Sequence, residues 1–156
     1  MEKSKTINLE SNIASVSELE QFIEDVCEAY DVRNAYLGHI VIAVTEAFEN
    51  ARLHGNRADI TKKVSVSFKA VRKGLEFTIS DEGVGFDFRN LPDPVQDEFA
   101  GRGIFMIQQL ADEVTWKDNG KVIVILFKTT SMNFEVAMMR IQLLKEYLGK
   151  HKFVHN

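Results

Sequence analysis

Cysteine and proline are nearly absent from this sequence: Cys27 stands alone, and Pro92 and Pro94 are the only prolines. A single cysteine excludes an internal disulfide framework and any multi-cysteine zinc centre. With 156 residues the chain can bury enough apolar surface to fold without either. A basic excess is missing as well. The net charge is −4 and no segment forms a basic tract, which argues against nucleic acid as a direct partner. Nor is there a long apolar run: Val122 to Phe127 suits one strand, not a membrane span. The N-terminal MEKSKTINLES is polar and lacks the apolar core of a signal peptide. The expectation is one soluble, reduced, cytoplasmic domain with no membrane contact.

What the sequence does have is ordered spacing. Ile7 and Leu9 alternate with polar neighbours and predict a short first strand over Thr6 to Glu10. Val16, Leu19, Phe22, Ile23 and Val26 recur at helical intervals, with Ser15 or Ser17 as the expected cap of a helix reaching Tyr30. A longer helix is predicted from Asn34 to Leu53, stopped by Gly55. Two alternating runs, Val64 to Ala70 and Leu75 to Ile79, flank Lys73-Gly74 and predict an antiparallel hairpin. A helix over Gly103 to Ala111, a strand over Glu113 to Lys117, a turn at Asp118-Asn119-Gly120 and a buried strand over Val122 to Phe127 follow. An amphipathic helix from Phe134 to Leu148 closes the chain. Such an order predicts an α/β two-layer sandwich, a mixed, mostly antiparallel sheet with helices on one face. Residues 1–130 form its main body, and residues 131–156 add a helix and tail to the same domain.

The long helix carries polar groups in an odd place. At about 100° per residue, Leu37, Val41, Val44, Phe48 and Ala51 form the stripe expected against the sheet. Glu46 and Asn50 fall roughly opposite, one turn apart, with Ile42, Ala43 and Leu53 as apolar neighbours on their own side. A solvated outer face is the plain alternative, but apolar flanks are not written for bulk water. A ligand carrying a metal ion and phosphates would cover such a face. His54 is read as a helix-end residue, since no second histidine sits at ligand spacing.

Two glycine-rich stretches lie downstream. In ISDEGVGFD, strand alternation turns Asp81 to the inward side, and Gly83 and Gly85 open the backbone beside it. There an acid can accept hydrogen bonds from the exocyclic amine of a base, or simply bond local amides at a strand end. In AGRGIFMI, Gly101 and Gly103 flank Arg102 directly before a helix, a pattern suited to an anion at a helix N-terminus. A dinucleotide fingerprint fails, because Met106 stands where its third glycine belongs. Between the two stretches, residues 86–100 hold both prolines and are expected to form a lid-like loop with one short helix after Pro94.

Taken together and in this order, the three stretches resemble the ATPase superfamily of DNA gyrase, heat-shock chaperones, histidine kinases and mismatch-repair proteins. Glu46-x-x-x-Asn50 matches its asparagine box, Asp81-x-Gly83-x-Gly85 its first glycine box and Gly101-x-Gly103 its second. EAFENARLHGN, the compact lid and GRGIFMIQQLAD are most similar to the small bacterial anti-sigma-factor serine kinases. The resemblance spans Thr6 to Thr130 and implies the histidine kinase-like ATPase fold, with ATP and Mg²⁺ as cofactors. It implies that Asn50 ligates Mg²⁺, Asp81 selects adenine, Gly101, Arg102 and Gly103 hold phosphates, and Glu46 orients or deprotonates the attacking serine hydroxyl. Thr129 or Thr130, after the last strand, is expected at a phosphate, and Thr130 is the one carried into the site. The implied partners are a sigma factor, an anti-anti-sigma antagonist phosphorylated on serine or threonine, and a second copy of the chain. The alternative from another class is an ATP-gated protein-binding module without phosphotransfer. A histidine-kinase fragment fits less well, because no phosphoacceptor helix pair precedes the long helix.

Overall fold

The computed structural model describes residues 4–32, 34–85, 102–129 and 134–150, the side chains of residues 34, 35, 102, 134–138, 148 and 150 excepted. The expected lid over residues 86–100, Gly101 and Thr130 lie outside the described residues.

The chain opens with strand β1 (Ser4–Glu10) and helix α1 (Ser15–Ala29). Leu19, Phe22, Ile23, Val26 and Cys27 of α1 are buried, three or four positions apart, as a 3.6-residue turn requires. Neither Ser15 nor Ser17 caps this helix. Ser15 is already its first residue, and Asn12 Oδ1 accepts from the Ala14 amide at 3.0 Å just before it. Burial, with a smaller contribution from Glu24, pushes the Cys27 thiol up to about 12, so it stays protonated and unreactive.

Helix α2 (Asn34–Asn50) follows, and its continuation Ala51–Gly55 is a π-helical turn closed by the Asn56 amide on the Ala51 carbonyl at 2.7 Å. The expected α-helical end at Leu53 is therefore wound one residue wider. Ile40, Ala43, Val44, Ala47, Phe48 and Ala51 are buried, while Leu37 and Val41 are only half-buried. Beyond Gly55 the backbone turns sharply, with Arg57 (φ 53°) and Ala58 (φ 56°) in the left-handed region.

Strands β2 (Lys63–Val71) and β3 (Gly74–Ser80) form the expected hairpin, and β4 (Glu113–Lys117) and β5 (Val122–Phe127) complete a sheet of order β1-β2-β3-β5-β4. Among the described residues every pairing is antiparallel, so the mostly antiparallel sheet that was expected holds no parallel pair there. Helix α3 (Arg102–Leu110) leads from β3 to edge strand β4, not to a parallel neighbour of β3. A left-handed turn, with positive φ at Asp118, Asn119 and Gly120, then folds β5 back between β4 and β3.

Register explains the core. Ile7, Val66, Ile79 and Ile123 stand side by side across four strands, and Phe68, Phe77 and Ile125 form the next row. These rows face the helices, while Ser67, Thr78 and Val124 take the opposite face. Each large aliphatic or aromatic side chain buried this way stabilises the fold by about 1.5–3 kcal/mol. Helix α4 (Phe134–Lys150) packs on α2 and α3, with the Tyr147 and Phe105 rings stacked 4.9 Å apart. Among the described residues no helix is long and apolar enough to cross a membrane.

Candidate functional site

The residues singled out by sequence gather at two corners. The first lies between α2 and the start of α3. Glu46 and Asn50 sit on the side of α2 that packs against α3. A Cβ on Gly103 would lie 2.7 Å from Glu46 Oε2 and 3.4 and 3.6 Å from the Asn50 Nδ2 and Oδ1 atoms. A side chain at 103 would have to push the Glu46 carboxylate aside, so glycine lets the helix N-terminus lie this close to the acid and the amide as they stand. The first N–H groups of a helix have no partner within it, and α3 therefore brings such amides close to Glu46 and Asn50.

Asn50 Nδ2 is buried and has no hydrogen-bond partner among the described residues. A buried donor left without an acceptor costs about 1–3 kcal/mol, and its N–H groups suit an acceptor such as a phosphate oxygen or water. The side of α2 that was expected to lie beneath a ligand is partly covered by α3 itself. Glu49 is differently employed: its carboxylate accepts from Arg52 Nε at 3.1 Å and Arg52 NH2 at 2.7 Å, an ion pair one turn along the helix.

The second corner lies where β3 ends. Asp81 Oδ1 accepts from the Gly83 amide at 2.7 Å, and the Asp81 amide donates to the Lys121 carbonyl at 3.1 Å, at the entrance of β5. Of the two readings of Asp81, the bond to a local amide is present, and the carboxylate is half-buried against the end of the α2 continuation. A Cβ on Gly55 would overlap the Asp81 carboxylate, and a Cβ on Gly83 would overlap the Gly55 carbonyl. Gly85 (φ 89°) approaches the Asn119 carbonyl in the same way. Burial pushes the Asp81 carboxyl above the ordinary range, opposed by the Gly83 hydrogen bond and by the charges of Lys121 and Lys62.

Not every expected residue joins these corners. Arg102 is the first residue of α3, with its side chain undescribed, and Gly101 lies outside the described residues. Thr129 is placed wrongly for a phosphate beside Gly103. Its amide donates to the Phe127 carbonyl, and the adjacent Lys128 amide donates to Asp112 Oδ2 at 2.7 Å, beyond the C-terminal end of α3. Along α3, that end lies about 10 Å from Gly103. Thr130, the residue carried in the expected site, lies outside the described residues.

Sequence reasoning missed Asn56. It is 1% exposed, and its side chain bonds three separate segments near Asp81. Its signal was the asparagine directly after His54-Gly55, which read only as the end of a helix. Among the described residues no three histidine, cysteine or acidic side chains gather as a metal site. A cation here would take few protein ligands and lean on phosphate and water, which is how Mg²⁺ is commonly held.

Residues 9–127 match the model of the histidine kinase-like ATPase domain. The chain belongs to that family. Relatives of this ATPase domain include serine-protein kinase RsbW of Bacillus licheniformis, 32% identical over 114 residues covering 60% of this chain and 71% of that protein. Serine-protein kinase RsbW of Bacillus subtilis is 32% identical over 97 residues, covering 56% of this chain and 61% of that protein. The RsbU and RsbW domains of a Mycobacterium tuberculosis protein superpose with a TM-score of 0.57 at 17% identity, over 78% of this chain and 30% of that one. The histidine kinase domain of a blue-light activated histidine kinase from Erythrobacter litoralis gives a TM-score of 0.51 at 15% identity, over 82% of this chain and 64% of that one. At such identities the two structures speak for the fold alone.

Proposed function

We propose that this ATPase domain is a cytoplasmic protein serine kinase and anti-sigma factor, which transfers phosphate from ATP to an anti-anti-sigma antagonist and sequesters a sigma factor. The observation that carries the reading is the seat of Gly103 on Glu46 and Asn50, which joins an acid, an unpartnered amide and a helix N-terminus in one cradle. The residues fit Mg·ATP. A Cβ would fill the cradle, and a buried amide there lacks a partner. ATP supplies the phosphoryl group when bound; the chain supplies position and proton handling.

In this reading Asn50 ligates Mg²⁺ through its amide oxygen, and the amides of Gly101, Arg102 and Gly103 hold phosphate oxygens. Asp81, ionised, accepts from the exocyclic amine of adenine, flanked by Gly83 and Gly85. Glu46 accepts a hydrogen bond from the serine hydroxyl and takes its proton. A carboxylate is a weak base, so Glu46 works by placement and by transfer late in the reaction. Residues 131–156 belong to the same domain, and the working unit is a homodimer.

The test uses labelled ATP and the purified antagonist. Glu46→Gln is isosteric and keeps Mg·ATP binding in calorimetry, while transfer falls by about 100-fold or more. Transfer at the wild-type rate would remove Glu46 as the base. Failure of the wild type to bind Mg·ATP at millimolar concentration would remove the whole reading.

A further inference from the structure

We propose that Asn56 is the positioning residue of the base corner: by tying the loop after β3 to the end of α2, it sets the angle at which Asp81 meets a purine amine. The proposal rests on the reading of Asp81 as the base selector and adds a residue that the resemblance does not assign.

Asn56 follows the π-helical turn and is 1% exposed. A neutral side-chain amide has two N–H donors and one acceptor oxygen, and here all of them are engaged. Nδ2 donates to Ser11 Oγ at 2.8 Å and to the Lys63 carbonyl at 3.0 Å. Oδ1 accepts from the Glu82 amide at 2.8 Å. Ser11 passes the tie onward, donating from Oγ to the Lys62 carbonyl at 2.7 Å. One side chain thereby fastens three segments: the residue after β1, the entrance of β2, and the loop that leaves β3.

The last of these is the one that bears on specificity. Glu82 lies between Asp81 and Gly83, and Gly83 donates the hydrogen bond that orients the Asp81 carboxylate. Gly83 also rests on the Gly55 carbonyl, one residue before Asn56. The Glu82 carboxylate accepts from the Lys63 amide, so the same peptide is held from its other side. Hydrogen bonds weaken steeply as their angle closes, and a carboxylate swung by a loop shift loses a bonded amine before it loses a stacked ring. Aspartate cannot replace Asn56, because an ionised carboxylate has no donors for Ser11 Oγ and the Lys63 carbonyl.

A purely structural Asn56 would weaken the fold and leave the preference between bases alone. The discriminating readout is therefore the ratio of affinities for Mg·ATP and Mg·ITP, whose base lacks the exocyclic amine, measured by calorimetry on the folded chain. Wild type prefers ATP. In Asn56→Ala the preference drops about fivefold, through weaker ATP binding with little change for ITP. Should that variant fail to fold, Ser11→Ala decides. It loosens Asn56 without removing its bond to Glu82, and a smaller drop in the same ratio is expected. An unchanged ratio in the folded variant, or in Ser11→Ala if the first is unfolded, overturns the role of Asn56. Absence of any preference in the wild type overturns instead the assignment of Asp81 on which it rests.

Discussion

Two anchors hold the framework of this domain, and their chemistry differs. Near Asp81, Asn56 ties three segments with amides and a hydroxyl, none of which titrates. At the far end of α3, Arg140 of α4 bonds Asp112 Oδ1 at 2.6 Å and reaches the Leu110 carbonyl at 3.4 Å. Here charge does the holding. Buried His39 of α2 sits in the same electrostatic neighbourhood, and neither of its ring nitrogens has a hydrogen-bond partner among the described residues. The difference teaches that the Asn56 tie holds its segments without a titrating group, although Asp81 beside it does titrate, whereas the docking of α4 on α3 is held by charge. Asp112 is pushed up by burial, yet the Arg140 and Lys128 hydrogen bonds and both their charges outweigh that and hold it below the ordinary carboxylate range. His39 is lowered, first by burial and then by Arg140, against an opposing pull from Asp112.

The strongest way to break the comparison is Arg140→Met, which keeps apolar bulk and strands Asp112. Both partners are largely buried, so the loss at pH 7 is about 3 kcal/mol in urea unfolding. A depressed carboxylate contributes stability above its unfolded value of about 3.9 and loses it as pH falls through the lower folded value. The gap between wild type and variant therefore narrows below about pH 4.

Asn56→Ala leaves the Glu82 amide and the Lys63 carbonyl without this partner and costs about 2 kcal/mol. The two anchors separate on this point: the loss in Asn56→Ala is the same at pH 5.5 and pH 8 in matched urea titrations.

His39→Phe sharpens the acid side. A buried base with a lowered value stabilises the fold fully above its unfolded value of about 6.5 and loses that contribution as pH falls below it. With phenylalanine there is no proton to take up, so the variant gains about 1 kcal/mol on the wild type between pH 8 and pH 5.5. Equal slopes for the two proteins would remove His39 from the account. The smallest effect belongs to Ala58→Gly in the turn after Asn56. Relief of its left-handed backbone, partly offset by glycine's entropy, adds about 0.5 kcal/mol, read as a rise in melting temperature.

Local patterns in the sequence carried the elements and much of the site. Alternation found the β2–β3 hairpin because its inward side chains recur every second residue, and the helical wheel set Glu46 and Asn50 on one side of α2. Gly103 was legible because a pair of glycines around an arginine at the start of a helix suits an anion. The rest was illegible for one physical reason: it is made by polar contacts between residues far apart in sequence. Asn56 meets Ser11 across 45 positions and Arg140 meets Asp112 across 28, and neither leaves a period to read. The mostly antiparallel sheet was legible, but its strand order was not, because that is set by where α3 delivers the chain, which no single strand encodes. Thr129 went astray similarly, since the end of a strand looks alike whichever end of the neighbouring helix it meets.

The π-helical turn Ala51–Gly55 turns spacing into a ruler. An α-helix rotates by about 100° per residue, so removing one residue between Asn50 and Asn56 would keep the first in place and swing the second to another side. The interval between these two asparagines is therefore as informative as their identities. A relative that preserves both letters but shortens the gap by one has rebuilt its base corner, and a change of nucleotide preference is to be sought there first.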